Sequence, residues 1–64
     1  KKGLYAGQID SNFIEIEVDG DPQSFMFGPE TESLLEDLQT GDAVFVSYFK
    51  NAYGQQVIVT LEKE

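Results

Sequence analysis

The stretch Phe13-Ile14-Glu15-Ile16-Glu17-Val18-Asp19-Gly20-Asp21-Pro22 decides the architecture. Ile14, Ile16 and Val18 alternate with Glu15 and Glu17, and alternation at period two gives a strand one dry face and one wet, charged face. Asp19-Gly20 then supplies a hairpin turn, because glycine accepts positive φ without steric cost. Gln23 to Phe27 reads as the returning strand, with Phe25 and Phe27 on one face and Met26 on the other.

Working outward, Leu4 to Ile9 is a further strand, in which Tyr5, Gly7 and Ile9 alternate with Leu4, Ala6 and Gln8 ahead of the turn residues Asp10-Ser11-Asn12. Downstream, the period changes at Gly28-Pro29. Proline suits the first position of a helix, and Glu30 and Glu32 complement the helix dipole in its first turn. Leu34, Leu35 and Leu38 fall on one side, so nine or ten residues of amphipathic helix are expected, with Gly41 as the stop. Ala43 to Phe49 and Gln56 to Leu61 alternate again, and the loop with Asn51 and Gly54 makes them a hairpin. In the second of these strands Val57, Val59 and Leu61 are set against Ile58 and Thr60.

Three strands, a helix and two strands in 64 residues make one domain, residues 1–64, of mainly β class. An open sheet of this size would leave exposed edges, and curling into a small barrel removes most of them. Leu34, Leu35 and Leu38 are expected to plug the barrel end lined by Ile14, Ile16, Val44, Val46, Val57 and Val59. This arrangement resembles the OB-fold, whose helix lies between strands three and four and whose first strand bends at a glycine, here Gly7. An SH3-like barrel is the alternative, but it normally has only a short 3₁₀ turn where this chain has a helix. The strings Tyr5-x-Gly7-Gln8-Ile9-Asp10-Ser11-Asn12, Ile14-Glu15-Ile16, Leu38-x-x-Gly41-Asp42-x-Val44 and Tyr53-Gly54-Gln55 are similar to those of small uncharacterised domains of Gram-positive bacteria and their phages. That resemblance implies no activity.

Composition then restricts function. Apolar residues are 41% of the chain, enough for one small core, while twelve acids face four lysines for a net charge of −8. Without cysteine or histidine there is no disulfide, no thiolate zinc site, no thiol nucleophile and no imidazole base. The serines have no base to activate them, and no Gly-rich phosphate loop is present. Glu17, Asp19 and Asp21 do not follow a calcium-loop spacing, and Glu15 and Glu17 share a solvated face where nothing separates their pKa values. No catalytic, metal or cofactor residue is therefore assigned, and a non-enzyme is expected.

The OB-fold resemblance brings single-stranded nucleic acid, or an oligosaccharide, as an alternative ligand. Phe13, Phe25 or Phe27, Phe49 and Tyr53 could stack bases, but Glu15 and Glu17 occupy the outer side of strand two, and four lysines release few counterions from phosphates. A small acidic interaction or accessory module is the primary expectation. It would take a protein partner by strand addition or by steering a basic surface, with Phe13, Glu15, Glu17, Phe49 and Tyr53 as candidate contacts. No run is long and apolar enough to insert in a bilayer. The chain opens on Lys1 rather than Met, as a processed product or a domain of a longer protein would, and its composition fits the cytoplasm or an exported protein equally.

Overall fold

The computed structural model describes all residues, Lys1–Glu64. The chain forms β1 (Lys2–Gln8), β2 (Phe13–Val18), β3 (Asp21–Met26), α1 (Pro29–Leu35), β4 (Ala43–Lys50) and β5 (Gln56–Lys63). The strands close into a barrel in the order β1-β2-β3-β5-β4. All neighbours are antiparallel except β3 and β5, which run parallel and meet at the single pair Met26↔Val57. This is the expected five-stranded barrel with a short helix between β3 and β4.

The core follows from the deciding stretch. Ile14, Ile16 and Val18 point inward together with Tyr5, Phe25, Phe27, Val44, Val46, Ile58 and Leu61. Phe25 meets the ring of Tyr48 edge-on at 4.9 Å between centroids. Asp19 and Gly20, at φ 55° and 80°, make the tight β2–β3 turn. Gly7 sits at φ 145°, beside the register shift between Tyr5 and Gly7 that bends β1 across the barrel. The same shift breaks the alternation, so Ile9 is turned out to solvent.

Two expectations about the core fail, and a β-bulge explains them. Between Ser47 and Tyr48 the β4–β5 register shifts, so that Ser47 opposes Thr60 while Tyr48 opposes Ile58. Val59 is the extra residue. A bulge reverses the parity of a strand beyond it, so Ile58 and Leu61 both face inward while Val59 is 59% exposed. Val57 accordingly lies on the outer face, half-buried by its neighbours. Neither valine lines the barrel interior.

The helix is also shorter than its leucines suggest, at seven residues. Past Leu35 the chain tightens into i→i+3 hydrogen bonds, Asp37 N–H to the Leu34 carbonyl and Leu38 N–H to the Leu35 carbonyl. Leu35 and Leu38 still enter the core, with Leu34 packed against it. Gly41 does not stop the helix. Its N–H donates to the Tyr5 carbonyl at 2.7 Å, and the Tyr5 N–H returns to the Asp42 carbonyl at 2.8 Å, so residues 41–42 extend the β1–β4 ladder.

Candidate functional site

The five candidate contact residues lie on the outer surface, and two of them meet in one row through residues the sequence reading left out. Phe13 opposes Met26 across β2–β3, Met26 opposes Val57 across β3–β5, and Val57 opposes Phe49 across β5–β4. Each alternates with an inward neighbour, Ile14, Phe25, Ile58 or the core-packed Tyr48. Directly opposed residues project from the same face of a sheet. Phe13, Met26, Val57 and Phe49 therefore form a continuous apolar band crossing four strands. Phe49 is its most open member at 52% exposure.

Two ordered loops border the band. In the β1–β2 loop the Asp10 carboxylate accepts the N–H groups of Asn12 (2.8 Å) and Phe13 (2.9 Å), and the Ile9 N–H reaches the Phe13 carbonyl at 2.9 Å. Asn51 organises the β4–β5 loop in the same manner. Its side-chain oxygen accepts from the N–H groups of Tyr53 (3.0 Å) and Gln55 (2.9 Å), and its amide donates to Gln55 Oε1. This leaves Tyr53 89% exposed on a hydrogen-bonded loop. On the other side of the band, Glu15 opposes Ser24 and, two residues further along β2, Glu17 opposes Pro22. Glu15 also lines a shallow depression with Ala6, Gly7, Gln8 and Ile9. Glu17 lies four residues beyond Phe13 on β2 and pairs with Leu4 on β1.

The charges divide unevenly. Lys2 pairs with Glu64 at 3.0 Å and Lys63 with Asp42 at 3.4 Å. The Asp42 carboxylate also accepts the Gln39 N–H, and that hydrogen bond, with help from Lys63, holds its pKa below the ordinary aspartate value despite some desolvation. No lysine lies on the outer faces of β2 and β3. No group of three or more acidic side chains converges to hold a metal ion, and no helix is long and apolar enough to cross a membrane.

Comparison with known proteins agrees with the barrel. A membrane-bound protein LytA of Bacillus subtilis (strain 168) is 36% identical over 63 residues, covering 98% of this chain and 62% of the relative. The chain thus spans less than two thirds of that protein's length. No solved structure matches. Residues 1–62 match the LytA beta-barrel domain, an OB-type barrel, and the chain belongs to that family.

Proposed function

We propose that this barrel is a non-enzymatic interaction module that presents its outer face to a protein partner. The observation that carries the reading is the outward-facing apolar band across β2, β3, β5 and β4, in which Phe49 is exposed and Phe13, Met26 and Val57 are half-buried. A contiguous exposed apolar surface rimmed by polar residues is the usual mark of an interaction site. The relative's printed name adds a setting, in which the barrel serves as the domain of a membrane-bound protein. With a net charge of −8, the barrel would stand away from anionic headgroups rather than lie on them. Nucleic acid is disfavoured by the same charge and by the absence of lysine from the outer faces of β2 and β3.

Site-specific photo-crosslinking of the whole protein in its own cells tests this. A photoreactive phenylalanine at position 49 or 13 is expected to give discrete protein adducts. The same group at Phe45, an exposed aromatic opposite Lys2 and Glu62, is the reference position. No discrete adduct from any surface position would overturn the reading.

A further inference from the structure

Several features outside the band lead nowhere. The depression beside Glu15 is shallow and open, the carboxylates do not converge, and the β3–β5 seam is held closed by the Met26↔Val57 pair. Strand addition therefore has no free edge at the band itself. What the band offers is a row of side chains running across the strands. With strands about 4.8 Å apart, four side chains extend roughly 14 Å. That spacing is close to the pitch of an α-helix, about 5.4 Å, on which apolar residues at i, i+3 or i+4, and i+7 form a matching row.

Charge selects the occupant. A second copy of the chain would carry the same net charge of −8 and be repelled, as an anionic helix would be. Asp10 and Glu15 adjoin the Phe13 end of the band, and Lys50 follows Phe49 at the other. Building on the interaction-module reading, we propose that the Phe13–Met26–Val57–Phe49 band is the docking site for a cationic amphipathic helix. The apolar side of that helix would cover the four side chains, with its lysines or arginines concentrated toward Asp10 and Glu15. Tyr53, held out on the β4–β5 loop that follows Phe49 and Lys50, would flank it.

The test uses the full chain and a synthetic helical peptide with leucine or tryptophan at i, i+4 and i+7 and lysine or arginine elsewhere. A second peptide carries glutamate in place of every cation. Amide shifts on titration are expected to cluster at Phe13, Met26, Val57 and Phe49 with the cationic peptide only. Affinity should fall at least about tenfold in Phe49→Ser, the scale of one interfacial aromatic anchor, and stay within about twofold in Phe45→Ser, with both variants retaining the wild-type melting temperature. Raising salt toward about 0.5 M should weaken binding. The proposal is overturned by no saturable binding up to about 1 mM peptide, a threshold of only about −4 kcal/mol. Equal binding of the glutamate peptide, equal loss in the two variants, or concentration-dependent shifts of the band without peptide would overturn it too, the last because it would identify a second copy as the occupant. Discrete cellular cross-links from other positions, combined with no peptide binding, would remove this site while leaving the interaction module standing.

Discussion

Gly3 and Glu17 approach so closely that a β-carbon on residue 3 would lie 2.7 Å from the Glu17 carbonyl oxygen, and 2.6 Å from Ile16 Cγ2. Gly3 is buried where β1 meets β2 and β4, opposite Val44. Backbone cannot yield as a flexible side-chain tip can, so strands β1 and β2 would have to separate. Gly3→Ala is expected to lower stability by about 1–3 kcal/mol, as overpacking does. Chemical denaturation measures it, and a loss below about 0.5 kcal/mol would mean that the strands part easily.

Leu38 keeps the core role that periodicity assigns it, and Val59 loses its own. Leu38 lies beyond the helix yet enters the core, whereas Val59 occupies the β5 bulge facing water. Leu38→Ala should cost about 2–5 kcal/mol and Val59→Ala less than about 0.5 kcal/mol. Comparable losses in the two variants would place Val59 inside the barrel.

These residues also show how far the chain could be read. Ile14, Ile16 and Val18 were legible because their alternation is unbroken and every paired residue follows in order through the Asp19-Gly20 turn. Val57 and Val59 were not, because a bulge depends on the facing strand and leaves no mark in the alternation of β5 itself. Gly3 is invisible for a related reason: its constraint is a distance across β1–β2. Phe13, Glu15, Glu17, Phe49 and Tyr53 could be named one by one as outward residues. That Met26 and Val57 link Phe13 to Phe49 follows only from barrel closure.

Asn51 holds the β4–β5 loop through two backbone N–H groups, those of Tyr53 and Gln55. Asn51→Ala removes the one side-chain oxygen that accepts both, while leaving the Asn51 N–H to Gln55 carbonyl bond in place. A cost of about 1–2 kcal/mol is expected, with faster amide exchange confined to residues 52–55. Unchanged exchange there would show that Gly54 and the backbone bonds suffice to shape the turn.

Asp42 makes stability depend on pH with a definite sign. Its carboxyl is held below the ordinary value of 3.8, first by the Gln39 N–H and then by Lys63. A depressed folded-state pKa stabilises the fold above the unfolded pKa, and that contribution disappears as pH falls through the folded value. Wild type should therefore exceed Asp42→Asn in stability at pH near 7, and the gap should close on acidification below about pH 4. Denaturation of both proteins across that range decides it. A gap that widens in acid would contradict the lowered pKa.

Salt and polyanions probe the net charge of −8 from two directions. Crowded carboxylates repel one another within a Debye length of about 10 Å at 0.1 M, so added sodium chloride should raise the melting temperature. The same field opposes single-stranded DNA or RNA most strongly at low salt, where a protein that binds phosphates performs best. Anisotropy of a labelled oligonucleotide at about 50 mM salt is thus expected to stay flat up to about 100 µM protein, even though Phe13, Phe49 and Tyr53 could each offer about 1–3 kcal/mol of base stacking. Saturable binding that weakens with salt and is lost in Phe13→Ala or Tyr53→Ala would mean that stacking overcomes the field, and it would replace the protein partner with a nucleic acid.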